Sequence, residues 1–186
     1  MRADAARRRH AIVQAARHLF AADGTTVALD SIAEASGVGI ATLYRNFDSR
    51  AALADEVAQS ILRDMQQAAT QALAAMDEMP DAAWSGYIDR LVELDLGALS
   101  ATLSDFMAGE MSPALRDAQA STLAGVEALL ARARDSGLVR ADLNALELVL
   151  AVGMITRPQP EVIRDATPEL VTKLVRIFLD GLRPRP

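Results

Sequence analysis

The segment IATLYRN, residues 40–46, gathers side chains that can hydrogen-bond a nucleic acid. Thr42 and Tyr44 carry hydroxyls that suit phosphate oxygens, and Arg45 and Asn46 carry guanidinium and amide groups that pair with base edges. No acidic residue interrupts the segment, so nothing in it repels phosphate. These residue types predict a face that enters a DNA major groove. In the alternative interpretation, Tyr44 is a packing residue whose hydroxyl is merely solvated.

Five further residues belong to this predicted DNA-binding face. Ile40 and Ala41 can touch a thymine methyl group, and Gly39 precedes them on the same face. Arg50 lies at the start of the next helix, where its charge and the amide groups of the helix N-terminus both favour a phosphate. Arg8 belongs to a run of three arginines that is expected near the DNA backbone or in a minor groove. The alternative is that this run is a solvated helix end.

Three predicted helices position the face. The spacing of apolar residues indicates a first helix over residues 3–22 and a second over about 29–36. The sequence Gly-Val-Gly at 37–39 then predicts a tight turn, because glycine tolerates backbone angles that a side chain penalises. A third helix over about 40–46 follows at once. Helix, glycine turn and short helix within a three-helix unit are the layout of a helix-turn-helix.

The third helix must be supported by its neighbours, because so short a helix is not stable alone in water. Leu43 and Phe47 are four residues apart and are therefore expected on one inward face. Ile32 and Phe20 are the expected packing partners on the two preceding helices. This packing would leave the polar side of residues 40–46 open to DNA.

Helical periodicity continues to the end of the chain, and no segment alternates as a strand does. The sequence therefore predicts an all-α fold. The further helices are expected over about 49–76, capped by Asp48 or Ser49; from an Asp81 cap; from Ser112 to Gly137; over 142–156, capped by Asp142; and over 168–182.

The composition argues against several other classes of protein. The chain has no cysteine, which excludes disulfides and thiolate metal sites. His10 and His18 both lie on the first predicted helix, away from any carboxylate cluster, so we expect no catalytic residues, no metal and no cofactor. The most apolar stretch, residues 146–155, is too short to span a bilayer. The N-terminus does not read as a signal peptide, and the expected location is the cytoplasm, without membrane contact.

The charge is distributed unevenly along an acidic chain of formal net charge −6. Residues 1–50 contain seven arginines and five acidic residues, whereas residues 51–186 contain twelve basic and twenty acidic residues. This asymmetry suggests a basic N-terminal region, residues 1–50, on an acidic remainder, residues 51–186. The alternative is that the difference arises by chance.

The segment IAEASGVGIATLYRNFDSRAAL, residues 32–53, resembles the N-terminal signature of the TetR family of bacterial transcriptional regulators. The resemblance implies that Thr42 and Tyr44 grip phosphates and that the helix at 40–46 reads an operator. Three positions depart from the family pattern: Gly39 replaces a frequent Ser, Asn46 a frequent His and Arg50 a frequent Lys. The first two leave the base preference open. The shared features are Phe20, Gly24, Ile32, Ala33, Gly37, Val38, Thr42, Leu43, Tyr44, Phe47, Ser49, Arg50 and Leu53.

The resemblance also implies how the chain is divided. An N-terminal three-helix helix-turn-helix DNA-binding domain, residues 1–48, would precede a C-terminal helical domain, residues 49–186, that binds an effector and dimerises through its last two helices. The predicted helices 142–156 and 168–182 are apolar on nearly every side, which fits a second copy covering one face. The alternative is a buried helix hairpin in a monomer. The expected interface residues are Leu146, Val149, Leu150, Gly153, Leu170, Leu174, Ile177 and Phe178.

A small-molecule pocket is expected between the helices of the C-terminal domain, because methionine and aromatic side chains suit an adaptable apolar cavity. The alternative for each residue is an ordinary place in the core. The candidate lining residues are Met65, Trp84, Tyr87, Ile88, Leu91, Phe106, Met107, Met111 and Leu129.

Together these features predict a homodimeric repressor that is released from a palindromic operator in double-stranded DNA by a small-molecule effector. Two copies related by a two-fold axis would read the two half-sites of a palindrome. Two alternatives stay open: an activator that uses the same DNA-binding head, and a helical protein–protein adaptor that does not bind DNA.

Overall fold

The structure is a computed structural model that describes residues 2–99, 103, 111–140 and 142–184. Every regular element in these ranges is helical, which confirms the all-α fold. None of the helices described is long and apolar enough to cross a bilayer. The helices are α1 (Arg2–Asp23), α2 (Leu29–Ala35), α3 (Ile40–Asn46), α4 (Arg50–Ala75), α5 (Pro80–Glu93), α6 (Pro113–Asp135), α7 (Ala145–Ile155), α8 (Glu161–Ala166) and α9 (Leu170–Leu182).

The chain forms two compact units. The first comprises Met1–Ile61 with Ala98–Ala118, and the second comprises Leu62–Gly97 with Gln119–Pro186. Two helices, α4 and α6, each contribute residues to both units. The expected boundary between residues 48 and 49 stays a prediction.

The core of the first unit joins α1, α2, α3 and the beginning of α4. Buried side chains recur every three or four residues on α1 and at the beginning of α4, as an amphipathic helix requires, and the short helices α2 and α3 add one or two each. The buried residues include Ile12, Ala16, Phe20, Ile32, Leu43, Phe47, Leu53 and Val57.

The second unit contains a close backbone crossing at Gly97, where residues 96–99 are helical. A β-carbon at this position would lie 2.4 Å from the carbonyl oxygen of Gly153 on α7. The Gly97 amide also donates a hydrogen bond to the Thr156 hydroxyl at 3.1 Å. Gly153 in turn faces Leu96, so the two segments approach closely within one chain.

Two of the predicted N-caps are confirmed. The Ser49 hydroxyl accepts a hydrogen bond from the Ala52 amide at 3.0 Å and caps α4. The Ser112 hydroxyl accepts from the Leu115 amide at 3.1 Å, and the proline that follows Ser112 opens α6.

The other two predicted caps are wrong. Asp81 does not cap α5, which begins at Pro80 without a side-chain cap. Its carboxylate instead accepts a hydrogen bond from Arg183 near the end of the chain.

Asp142 likewise does not cap α7, because its carboxylate pairs with Arg140. Asn144 caps the helix by accepting from the Glu147 amide, and the Glu147 carboxylate accepts from the Asn144 amide in return. This reciprocal pair is a capping box. The sequence reading also missed the short helix α8.

Candidate nucleic-acid interface

The turn between α2 and α3 has the geometry that its glycine predicts. Gly37 adopts φ +70°, a left-handed conformation that costs a side chain strain. The Gly37 amide donates to Glu34 O at 3.0 Å, and the Val38 amide donates to Ala33 O at 3.0 Å. These two bonds form a Schellman motif, which ends α2 sharply and directs the chain into α3.

The third helix covers the predicted residues 40–46 and is held by buried neighbours. Leu43 and Phe47 are 1% and 2% exposed, while Ile32 and Phe20 are fully buried. Gly39 precedes the helix in an extended conformation and provides no side-chain cap, as its departure from the family pattern implied. Packing therefore supplies the stability that a seven-residue helix and an uncapped N-terminus do not.

The opposite side of α3 faces solvent. Tyr44 is 52% exposed, and Ala41 and Arg45 are exposed as well. Thr42 and Asn46 are half-buried. So are Ile40 at the start of the helix and Arg50 at the start of α4, whereas Gly39 is exposed. Apart from Arg8, which is exposed on α1, the predicted DNA-binding residues thus lie on α3 and at its two ends.

Hydrogen bonds within α3 organise its polar groups. Arg45 Nη2 donates to the Thr42 hydroxyl at 2.8 Å, and Asn46 Nδ2 donates to Thr42 O at 2.8 Å. Because the Thr42 hydroxyl oxygen accepts from Arg45, the hydroxyl proton can still be donated to an incoming phosphate oxygen. Arg45 and Asn46 likewise retain further N–H groups for base edges.

Arg9 occupies a place that the sequence reading did not predict. Arg9 Nη1 donates to the backbone oxygen of Asn46 at 2.8 Å, and Nη2 donates to the Glu56 carboxylate on α4. The guanidinium carbon also lies 4.3 Å from the centre of the Phe47 ring. Residue type alone does not separate Arg9 from the two arginines before it, because its partners are 37 and 47 residues away.

The candidate effector residues that the structure describes are core residues of α4, α5 and α6, with one exception. Met111 is 37% exposed. Two candidates, Phe106 and Met107, lie outside the described residues. The buried candidates are Met65, Trp84, Tyr87, Ile88, Leu91 and Leu129.

One buried candidate carries an unsatisfied polar group. Tyr87 is only 2% exposed. Its hydroxyl is buried and has no hydrogen-bond partner among the described residues. Burial also raises the pKa of Tyr87 well above its usual range, so the hydroxyl keeps its proton. Buried hydroxyls in proteins are usually hydrogen-bonded, which makes this group a candidate contact for a ligand.

The candidate dimer residues lie mainly on solvent-exposed apolar faces of α7 and α9. Leu150 is 57% exposed and Ile177 is 67% exposed, and Met154 on α7 reaches 78%. The half-buried members are Val149, Gly153 and Phe178, and the remaining exposed members are Leu146, Leu170 and Leu174.

Comparison with family models gives two matches. The model described as "Bacterial regulatory proteins, tetR family" matches residues 12–57. The model described as "Transcriptional regulator SbtR-like, C-terminal domain" matches residues 79–184, more than half of the chain. The comparison with curated proteins found no match.

Solved structures similar to this chain cover almost its whole length. A TetR transcription regulatory protein from Mycobacterium vanbaalenii is 34% identical with a TM-score of 0.68, over 98% of this chain and 99% of that one. The TetR transcriptional regulator SCO0520 from Streptomyces coelicolor is 25% identical with a TM-score of 0.70, over 96% and 99%. LfrR from Mycobacterium smegmatis, solved in complex with proflavine, shares the fold at 21% identity and a TM-score of 0.67, over 96% and 98%.

Proposed function

Because the chain belongs to the TetR family of bacterial transcriptional regulators, we propose that it is a homodimeric repressor released from a palindromic operator by a small-molecule effector. The observation that carries the proposal is the orientation of α3. Its apolar residues, Leu43 and Phe47, are buried, while Tyr44 and Arg45 project into solvent.

The exposed face of α3 divides DNA recognition between backbone and base contacts. Thr42 and Tyr44 donate hydroxyl protons to phosphate oxygens, and Arg50 at the start of α4 neutralises another phosphate. Arg45 and Asn46 reach base edges in the major groove. The assignments of Thr42, Arg45 and Asn46 follow from the donor groups that remain available after the hydrogen bonds within α3 are counted.

Four other residues complete the proposed contact. Ile40 and Ala41 touch a thymine methyl, beside the exposed backbone of Gly39. Arg8 meets the DNA backbone from α1, where it is exposed.

Dimerisation follows from the apolar surface of α7 and α9. Leu150 and Ile177 expose more than half of their side chains in the single chain, which is unfavourable unless another surface covers them. A two-fold contact through these helices produces a four-helix interface. Such a dimer reads a palindrome when its two α3 helices lie about 34–36 Å apart.

The effector occupies the apolar interior of the C-terminal domain in this proposal. The side chains proposed to line the effector site are mostly hydrocarbon. The protonated Tyr87 hydroxyl is the unsatisfied polar group among them. This combination favours an apolar ligand with one hydrogen-bonding group. LfrR was solved in complex with proflavine, so proflavine is a first probe of whether this chain binds a small molecule.

Release from DNA is a shift of population between two conformations of the dimer. The helix α4 is continuous from Arg50, next to the DNA-binding face, to Ala75. A ligand that favours a tilted α4 would move the two α3 helices away from groove spacing. It releases DNA only to the extent that it binds the two conformations with different affinities.

The first experiment is selection of bound duplexes from a random pool by the purified full-length protein. Recovery of a palindrome supports both DNA recognition and two-fold symmetry. Tyr44→Phe and Arg50→Ala should weaken binding to the recovered duplex, whereas Arg116→Ala, which removes an exposed charge from α6, should not. Failure of the dimer to bind any duplex at low salt would instead favour the adaptor interpretation.

A reporter gene placed behind the recovered palindrome then separates repression from activation. A repressor lowers expression when it is present, and an effector restores it. An increase in expression on binding would replace the repressor assignment with an activator that uses the same head.

A further inference from the structure

We propose that Arg9 is a positioning residue that fixes the orientation of α3 through α4, and that it does not contact DNA itself. The inference rests on the DNA-binding role of α3. In this proposal the Arg9–Glu56 pair determines specificity. Recognition of DNA bases then depends on the Glu56 carboxylate, although Glu56 does not contact DNA.

The geometry of Arg9 joins three parts of the first unit. One guanidinium nitrogen donates to the backbone oxygen of Asn46, the last residue of α3. Another donates to the Glu56 carboxylate one and a half turns into α4. The plane of the group lies near the Phe47 ring, with the central carbon 4.3 Å from the ring centre.

Each contact stabilises the C-terminal end of α3. The last carbonyl groups of a helix lack partners within the helix, and they attract a cation. Arginine can donate to two acceptors from its rigid fork and stack on an aromatic ring at the same time, whereas lysine presents only a point charge. Arg9 therefore ties the end of α3 and the buried Phe47 to α4.

The pair is also partly shielded from solvent. The Glu56 side chain is 22% exposed and the Arg9 side chain is 42% exposed. A guanidinium paired with a carboxylate contributes little net charge toward a phosphate. Arg8, the preceding residue, is exposed and is the matched comparison for a direct DNA contact.

The salt dependence of DNA binding distinguishes the two roles. An arginine that neutralises one phosphate contributes about 0.9 to the slope of log affinity against log salt concentration. Affinities should be measured over a range of salt for the duplex recovered by selection and for a scrambled duplex of equal length. Arg8→Ala should weaken both duplexes and lower the slope by about 2, because the substitution removes one phosphate contact from each subunit of the proposed dimer.

Arg9→Ala should behave differently from Arg8→Ala. We expect the affinity for the selected duplex to fall about tenfold at unchanged slope, because a charge-assisted hydrogen bond that orients α3 is lost. Binding to the scrambled duplex should change little, so the ratio of the two affinities should fall. An Arg9→Ala dimer that loses about 2 from the slope and keeps its specificity would overturn the proposal.

Glu56→Gln gives opposite predictions for the two roles. If Arg9 contacted phosphate, removal of its carboxylate partner would free the charge and strengthen binding to both duplexes. If Arg9 positions α3, the selected duplex binds more weakly, and the double variant Arg9→Ala with Glu56→Gln is no weaker than Arg9→Ala alone. Tighter binding by Glu56→Gln would refute the positioning role.

Two further measurements keep the test decisive. Arg9→Lys retains the charge beside Glu56, so its thermal stability should exceed that of Arg9→Ala. Its specificity should stay as low as that of Arg9→Ala, because lysine cannot also bond Asn46 O and stack on Phe47. Amide hydrogen exchange in residues 43–47 of the free protein should be faster in Arg9→Ala than in Arg8→Ala. Equal exchange in the two variants would refute the proposal even if the wild-type protein bound no specific duplex, so this result is separable from failure of the proposed function.

Discussion

Replacement of Gly97 by alanine should destabilise the protein, although alanine favours helices. The added β-carbon would lie 2.4 Å from Gly153 O, 2.4 Å from Arg157 N and 2.6 Å from Arg157 Cα. All three are backbone atoms, so no side chain can rotate away. Since ordinary contacts begin near 3.4 Å, the two backbone segments must separate by about 1 Å.

The expected cost combines two losses and one gain. Overpacking of a close contact costs about 1–3 kcal/mol, and the hydrogen bond from the Gly97 amide to Thr156 contributes about 1 kcal/mol. The helical preference of alanine returns about 0.5–1 kcal/mol. The free energy of unfolding should therefore fall by about 1–3.5 kcal/mol, which lowers the Tm of a chain of this size by about 2–14 °C.

Gly86→Ala is the matched control. Gly86 is exposed within α5, and a β-carbon there meets no heavy atom within 4 Å. This variant should gain about 0.5–1 kcal/mol, so the two glycine-to-alanine changes have opposite signs. Urea unfolding followed by circular dichroism measures both at one protein concentration, because the proposed dimerisation would make stability depend on concentration. A Gly97→Ala protein as stable as Gly86→Ala would refute the tight crossing.

Three further predictions concern other sites. Tyr87→Phe should leave the free energy of unfolding at neutral pH unchanged or raise it by up to about 1 kcal/mol, because the lost hydroxyl has no partner among the described residues. Burial raises the pKa of Tyr87 in the folded state only, so the wild type should lose about 1.4 kcal/mol per pH unit relative to this variant above about pH 10, as urea titrations at several pH values would show. Asn144→Ala removes the cap of α7 and should cost about 1 kcal/mol in thermal unfolding, whereas Asn144→Ser should cost little. Ile177→Asp should convert dimers to monomers in analytical ultracentrifugation, while Lys173→Asp, at another exposed position of α9, tests the effect of charge alone.

The sequence by itself determined the elements that build the DNA-binding face. The bounds of α3 and the Ser49 and Ser112 caps follow from residue types within a few positions of one another. The turn at Gly37 is equally local, since its left-handed conformation depends on the absence of a side chain. These features can be predicted because each depends on neighbouring residues, although α3 also needs the packing of Leu43 and Phe47 to be stable.

The composition of the effector site could not be decided in the same way. A residue such as Leu91 has the same helical spacing whether it lines a cavity or fills the core. The unsatisfied Tyr87 hydroxyl became visible only when its surroundings were known.

Only the tertiary structure decided which of several similar residues takes each role. Asp142 and Asn144 are both good caps by residue type, but in the structure Asp142 pairs with Arg140 and Asn144 caps α7. Arg8 and Arg9 are adjacent arginines, but they project from different sides of α1. Arg8 lies in solvent, whereas Arg9 lies against Glu56. Periodicity predicts that a residue is helical, but the partner of a long polar side chain depends on which distant surface packs against its helix.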